Sequence, residues 1–168
     1  MSSPDRAGFE EFVVARRAAL LRTAYLLTGG HEDAEDLVQV ALVNVVPHWH
    51  RISDRPEPYV RQVLVRESVS RWRRRRWREV VSAEPPEVAA REDDTAQREV
   101  LRRALLALAP RQRAVVVLRY YDDLTERQTA AALGISVGTV KSQARDGLAR
   151  LRALVPDPAA ERADTLRS

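Results

Sequence analysis

Cysteine does not occur in this sequence of 168 residues, and no apolar run approaches the roughly 20 residues that a helix needs to span a bilayer. The lack of cysteine excludes disulfide bonds and thiolate metal sites, and it fits a reducing compartment. The N-terminal stretch MSSPDRAGFEEF contains no apolar core of an export signal. These absences predict a cytoplasmic protein that is not inserted in a membrane.

Motifs of catalysis are also lacking. The sequence has no phosphate-binding glycine loop, no Ser/His/Asp constellation and no metalloprotease helix. His48 and His50 stand two residues apart with no cysteine or carboxylate triad nearby, which is a poor arrangement for a metal ion. We therefore predict that the protein is not an enzyme and that it uses no metal or other cofactor.

Charge is plentiful and unevenly distributed. The chain has 28 Lys+Arg against 24 Asp+Glu, a net charge of +4, and Lys141 is its single lysine. Acidic residues are concentrated at 32–36 and 84–94, whereas residues 71–78 are almost wholly basic. This separation predicts a polarised surface and two kinds of partner, one of them a polyanion.

Apolar residues at helical spacings predict an N-terminal bundle of three helices. The first helix covers about residues 8–28 and is ended by a glycine pair. The second begins at the acidic turn of HEDAEDLVQVALVNVV and is disrupted or ended by Pro47. A loop follows, and the third helix starts near Pro58 and runs to about Glu79.

A change of composition divides the chain into two domains. Residues 81–96 form an acidic, proline-bearing linker without a helical period. The linker separates a domain over residues 1–80 from a second domain over 97–155, and a tail follows over 156–168. The second domain opens with two helices separated at Pro110. The predicted fold is therefore all-α, with two small helical domains.

The segment from Thr125 to Arg152 predicts a helix-turn-helix. Thr125 and Gln128 match the capping box of a first helix. Gly134 permits the left-handed conformation of the turn, and Ser136 caps the second helix. A plain αα-hairpin in a helical bundle is the alternative.

The second helix of this motif separates an apolar stripe from polar side chains. Val140, Ala144, Leu148 and Leu151 recur at spacings of four and three, which predicts the buried stripe. Arginine and lysine reach guanine acceptors, glutamine pairs with adenine, and hydroxyl groups serve phosphates or bases. The remaining face offers Thr139, Lys141, Ser142, Gln143 and Arg145. This face predicts contact with the major groove of DNA.

An arginine run ends the third helix. Residues 71–78 hold six arginines, with Trp72 and Trp77 interleaved. A polyanion relieves the repulsion within such a run, so we interpret it as a contact with the DNA backbone; a solvated helix end is the alternative. Trp49, by contrast, is interpreted as a core anchor in preference to a stacking platform.

The acidic turn at residues 32–36 contains four acids. Each acid at a helix start contributes only about 0.3 to 1 kcal/mol through the helix dipole, so the dipole does not require four. The surplus of acids therefore predicts a surface for a basic or helical protein partner.

Three segments together resemble the extracytoplasmic-function group of bacterial sigma factors, and its small actinobacterial members in particular. They are DAEDLVQVAL, PEPYVRQVLVRESVSRWRRRRW and LAPRQRAVVVLRYYDDLTERQTAAALGISVGTVKSQARDGLARLR. They occur in the family's order, and the resemblance spans most of the chain. It implies two helical domains, σ2 and σ4, which bind core RNA polymerase and recognise the −10 and −35 promoter elements without being catalytic.

The resemblance also implies site residues. Those expected to face the coiled coil of the largest polymerase subunit are Asp33, Glu35, Asp36, Leu37 and Gln39. Those expected at the −10 element are Trp49, Arg51 and Arg55, in a loop that captures a flipped base, and Arg61, Arg66, Ser70 and Arg74 along the duplex edge. In σ4, Arg113 and Arg127 are expected to hold phosphates, while Thr139, Lys141, Ser142 and Arg145 enter the major groove.

Two positions depart from the family pattern. Val40 stands where glutamate is common, which weakens one polymerase contact, and Asp146 stands where a basic residue is frequent, which is repulsive beside phosphates. The runner-up function is a helix-turn-helix repressor or activator that binds DNA alone, although such a protein has no need of the acids at 32–36. A structural adaptor is a third class. The sequence leaves open whether an anti-sigma factor is a further partner.

Overall fold

The computed structural model describes residues 2–79 and 96–155, apart from the side chains of residues 3, 4 and 76–79. Within these ranges the regular elements are all helical, which confirms the predicted all-α fold. The predicted tail lies outside the described residues, as does the predicted linker except for its last residue, Ala96.

Over residues 2–79 the bundle has four helices where three were predicted. They are α1 Ser3–Thr28, α2 His31–Val45, α3 Trp49–Ile52 and α4 Pro56–Glu79. Helix α1 begins before residue 8 because Ser2 and Asp5 form a capping box. The expected loop contains α3 because Pro47 lies in a 3₁₀ turn, Val46–His48, which leads directly into that short helix.

The core of this N-terminal bundle lies between α1, α2 and α4. Its buried members include Leu20, Leu37, Val45, Trp49, Val60 and Leu64. The Trp49 indole packs edge-on against the Phe9 ring, with centroids 5.1 Å apart, and only 2% of the residue is exposed. Burial of this large side chain fixes α3 against the bundle.

The C-terminal bundle, residues 96–155, also contains four helices. They are α5 Ala96–Leu106, α6 Pro110–Val116, α7 Glu126–Leu133 and α8 Val137–Leu154, and a π-helical turn, Val117–Tyr121, extends α6. Proline at the first position of α6 suits a helix start, since that N–H would have no helical partner.

The predicted helix-turn-helix is confirmed in α7 and α8. The Thr125 hydroxyl accepts from the Gln128 N–H, and the Gln128 side chain accepts from the Thr125 N–H. Gly134 ends α7 at φ 66°, in the left-handed region, and the Ser136 hydroxyl caps α8 by accepting from the Thr139 N–H at 3.0 Å. Side chains only three residues apart therefore define both helix starts.

Helix α8 packs closely on α6. Its buried side includes Val140, Ala144 and Gly147. A Cβ atom at Gly147 would lie only 2.9 Å from Val116 Cγ2, so the missing side chain allows the two helices to approach.

The two bundles pack against each other. A buried cluster joins Leu27 and Val65 of the first bundle to Ala114, Val117, Leu118 and Leu124 of the second. The Leu106 side chain lies against Gly29, where an added Cβ would be 2.6 Å from it. This packing places α4 alongside α7 and decides which parts of the basic surface face outward.

Candidate nucleic-acid and protein interfaces

The polar face of α8 points away from the C-terminal core. Lys141 and Arg145 are the most accessible of its predicted DNA contacts, with 64% and 77% of their side chains exposed. Each lies beside an acid: the Lys141 ammonium is 3.9 Å from Glu126, and Arg145 Nε donates to Asp146 at 3.0 Å. Exposed pairs of this kind contribute about 0 to 1 kcal/mol, so a nucleic acid can displace them.

The hydroxyl groups of α8 lie nearer its start. Thr139 Oγ1 is 2.8 Å from the capping Ser136 hydroxyl, and Ser142 donates to the Thr139 carbonyl at 3.0 Å. Both predicted contact residues are half-buried, and Arg127 on α7 is exposed. The structure therefore brings the predicted −35 residues onto α7 and α8, with the exception of Arg113.

Arg113 is buried, and the expectation that it holds a phosphate is wrong for this structure. Its guanidinium donates to the carbonyls of Leu105, Leu106 and Leu108 at the end of α5, and to the carbonyl of Leu27 at 2.7 Å. Burial lowers the pKa of Arg113 to about 10, so the group stays protonated near neutral pH. It satisfies carbonyls that helix ends leave without partners and connects the two bundles.

The residues of α4 expected along the duplex edge lie partly at the bundle interface and partly on the outer surface. Arg61 donates to Glu57 at 3.0 Å and to Asp122 at 3.2 Å, and only 22% of its side chain is exposed. The Arg66 guanidinium lies over the helix-turn-helix turn, so near that a Cβ at Gly134 would be 3.1 Å from it. Arg74 is 59% exposed and pairs with Glu67 at 3.4 Å. Ser70 lies between these positions and is half-buried.

Two of the residues expected to contact partners are core residues. Trp49 was expected to join in base capture, but its indole is enclosed by the N-terminal bundle. Leu37 was expected to face the polymerase, but it is fully buried at 0% exposure. Arg51 and Arg55, near Trp49, are exposed, and Arg51 donates to His48 Nδ1 at 2.7 Å.

The acidic start of α2 is anchored to the arginine run of α4. Asp33 accepts a paired set of hydrogen bonds from Arg75, one of them at 3.1 Å. Glu35, Asp36 and Gln39 are exposed. Val43, one turn beyond Gln39, is 63% exposed and adds an apolar patch to the same side. The hydropathy pattern concealed Val43 because it continues an apolar run.

Sequence reasoning missed a buried carboxylate at the bundle interface. Asp122, whose side chain is 8% exposed, accepts from the Thr23 hydroxyl at 2.8 Å as well as from Arg61. Gln62 also donates to the Ala131 carbonyl at 3.1 Å. These partners are 61 to 99 residues apart in the chain, so no local pattern signals them.

The described ranges contain neither a metal-binding cluster nor a membrane-spanning helix. No group of three or more side chains suited to a metal ion occurs there. Nor does any helix within residues 2–79 or 96–155 have the length and apolar character needed to cross a membrane.

Known protein families match both bundles. The model of Sigma-70 region 2 matches residues 12–78, and that of Sigma-70, region 4 matches residues 98–151. The chain is 44% identical over 149 residues to the RNA polymerase sigma-E factor of Streptomyces avermitilis, covering 86% of this chain and 83% of that protein. It is 33% identical over 144 residues to the ECF RNA polymerase sigma factor SigL of Mycobacterium tuberculosis, covering 80% and 81%.

Two solved structures share the fold. The sigma factor RpoE of Bartonella quintana, crystallised with the anti-sigma factor NepR, has a TM-score of 0.72 at 24% identity, covering 87% of this chain and 95% of that one. CnrH, in complex with the cytosolic domain of CnrY, has a TM-score of 0.59 at 24% identity, covering 87% and 86%.

Proposed function

Because the chain belongs to the extracytoplasmic-function sigma factors of the sigma-70 family, we propose which of its surfaces bind core RNA polymerase and promoter DNA. A factor of this family directs the polymerase to promoters by recognising the −10 and −35 elements. The observation that carries the assignment of surfaces is the capped helix-turn-helix with its outward Lys141 and Arg145.

Helix α8 is proposed to read the −35 element. Lys141 and Arg145 would reach base edges because both are exposed cations on its polar face. Thr139 and Ser142 would contact the groove near the helix start, and Arg127 on α7 would hold a phosphate.

Helix α4 and the exposed arginines of α3 and its following turn are proposed to contact the −10 element. Arg66, Ser70 and Arg74 follow one another at spacings of four, so they lie on one side of α4. Arg51 and Arg55 would approach the melted strand. Trp49 would position this segment from within the core.

The outer side of α2 is proposed to bind core polymerase. Glu35, Asp36 and Gln39 are exposed, and Asp33 would join them by exchanging its Arg75 partner for a polymerase cation. Val43 would replace Leu37 as the apolar part of this surface, since Leu37 is enclosed.

We also propose domain bounds, a cellular location and a further partner. We assign σ2 to residues 1–80, the linker to 81–96, σ4 to 97–155 and the tail to 156–168. RNA synthesis itself is assigned to the polymerase, so the factor needs no catalytic group, and it would work in the cytoplasm with its partners. Since both solved relatives are bound to other proteins, NepR and CnrY, an anti-sigma protein is a candidate third partner.

Charge reversal on α2 tests the polymerase surface. The double variant Glu35→Lys/Asp36→Lys should lose co-purification with core polymerase, because the new lysines repel the cations that the acids attract. The matched control is Glu10→Lys/Glu11→Lys, which reverses two exposed acids on α1. Equal binding of core polymerase by both variants, with unchanged helical circular dichroism, would reject this surface.

A further inference from the structure

A small cavity lies where α4 meets the C-terminal bundle. Its volume is about 230 Å³. Four of its lining residues belong to helix α4 and three to the C-terminal bundle. The cavity therefore exists only while the bundles are packed together. The lining residues are Arg66, Val69, Ser70, Arg73, Arg111, Leu133 and Ile135.

The three arginines of this cavity have no acidic partner among the described residues. Within residues 2–79 and 96–155, no carboxylate pairs with Arg66, Arg73 or Arg111, although Arg74 and Arg103 close by in sequence are both paired. Among the described residues, the lining contains no carboxylate either. Three like charges around one space repel one another, and an anion in that space would convert the repulsion into attraction.

The other lining groups suit an anion with phosphate oxygens. The planar donor pairs of arginine match phosphate in a bidentate manner, and the Ser70 hydroxyl supplies a further donor. Val69, Leu133 and Ile135 supply the apolar part of the lining, beside the exposed arginines. A single monoanion would leave most of the positive charge without compensation, whereas a pyrophosphate group brings several negative charges on neighbouring phosphorus atoms.

We propose that this cavity binds a pyrophosphate group, carried either by inorganic pyrophosphate or by the phosphate chain of a nucleotide. The volume is below the roughly 300 to 1,000 Å³ of sites that enclose a whole drug-sized ligand, so a nucleoside would remain outside. The bound anion connects Arg66 and Arg73 of α4 to Arg111 of α6. It therefore favours the packed arrangement of the two bundles.

The anion would also compete with promoter DNA. This part of the inference rests on the proposed function, because Arg66 and Ser70 belong to the proposed −10 surface. Arg111 belongs to none of the proposed DNA or polymerase surfaces. It is therefore the residue that separates anion binding from promoter binding.

Isothermal titration of the full chain with inorganic pyrophosphate, a nucleoside triphosphate and sulfate, at constant ionic strength, tests the site. We expect both phosphate compounds to bind more tightly than sulfate. Arg111→Ala should weaken their binding about tenfold, the loss expected from one charged hydrogen-bonding partner. Arg17→Ala, which removes an exposed arginine on α1, should change it less than twofold. Equal affinity for the two compounds would show that the site contacts only the phosphate groups. Tighter binding of the triphosphate would show that the nucleoside also contacts the protein.

Two results would overturn the proposal. One is no pyrophosphate binding at millimolar concentration by a folded protein; the other is equal weakening by Arg111→Ala and Arg17→Ala, which would show a diffuse charge effect. Arg111→Lys provides a second variant if Arg111→Ala unfolds, and it should retain only part of the affinity because the planar donor pair is lost.

Competition with a −10 oligonucleotide distinguishes this inference from the proposed function. Pyrophosphate should displace the oligonucleotide from the wild type and much less from Arg111→Ala. Oligonucleotide binding without titratable pyrophosphate binding would reject only the anion site. Pyrophosphate binding without any oligonucleotide binding would reject only the −10 assignment.

Discussion

Two arginines of the C-terminal bundle, Arg113 and Arg127, have opposite environments despite their similar expected roles. Arg113 is enclosed by backbone carbonyls of α5 and α1, whereas Arg127 is exposed on α7. The apolar run AVVVL directly follows Arg113, and this is the sequence signal that could have placed it in the core. An arginine inside an apolar pattern is more often a satisfied structural group than a phosphate contact.

Replacing Arg113 with alanine should therefore affect stability first. The change leaves four carbonyl acceptors without their donor, so we expect the free energy of unfolding to fall by about 3 kcal/mol or more. Urea unfolding of the full chain measures this, with Arg127→Ala as a control that should change stability by less than about 0.5 kcal/mol. Unchanged stability together with weaker DNA binding would restore the phosphate role.

The contribution of Glu99 to the free energy of unfolding should depend on pH. Hydrogen bonds from Arg102 and Arg103 lower the pKa of Glu99 from 4.5 to about 2. Because the folded pKa lies below the unfolded one, the carboxylate stabilises the fold fully above about pH 4.5, and this contribution is lost as the pH falls through about 2.

Glu99→Gln should thus be less stable than the wild type at pH 7, and this difference should be much smaller near pH 2. Urea unfolding at both pH values measures the difference, with Glu11→Gln on α1 as the control for an exposed acid. A gap between wild type and Glu99→Gln that persists unchanged at pH 2 would show that the charge of Glu99 is not its cause.

At the scale of elements, local rules accounted for the helix-turn-helix and failed for α3. Thr125, Gln128, Gly134 and Ser136 act on neighbours within a few residues, so the sequence alone predicted both caps and the turn. The helical state of α3 depends instead on burial of Trp49 against Phe9, 40 positions away in sequence. Such tertiary contacts decide short helices, which are unstable on their own.

The polar face of α8 predicts two classes of DNA variant. Lys141→Ala or Arg145→Ala should cost about 1 to 3 kcal/mol on the cognate −35 element and relax discrimination at one base pair. Arg127→Ala should weaken all sequences about equally and lower the salt slope by roughly one unit. Binding of each variant to a library of −35 elements at several salt concentrations separates the classes. If Arg127→Ala changed base preference while Lys141→Ala and Arg145→Ala weakened every site equally, this docking of α8 would be rejected.

For the whole molecule, the packing of the two bundles sets a geometric limit. A compact body of about 140 residues, the size of the described ranges, has a radius of gyration of about 14 Å and a diameter of about 37 Å. Elements named −10 and −35 are about 25 base pairs apart, which is about 85 Å of duplex. The bundles must therefore separate for one chain to contact both elements.

The linker in the sequence predicted two domains, but their interface depends on pairs such as Arg61 with Asp122, which no local pattern encodes.

Asp122 should control that separation. Asp122→Asn weakens the pairing with Arg61, so it should shift the chain toward separated bundles. The absence of cysteine allows two labels at introduced cysteines, such as Arg17→Cys and Arg150→Cys, for a fluorescence distance measurement. Asp123→Asn is the matched control, since Asp123 is exposed and adjacent. The same distance in both variants would show that Asp122 does not hold the bundles together.

Run-off transcription with purified core polymerase tests whether this chain initiates transcription through the −10 and −35 elements. The templates carry a promoter selected by the full factor, the same promoter with either the −10 or the −35 element replaced, and one with both replaced. We expect a transcript that requires both the factor and core polymerase, and whose yield falls at least tenfold when either element is replaced. A transcript of equal yield without the factor, or from the template with both elements replaced, would contradict this expectation.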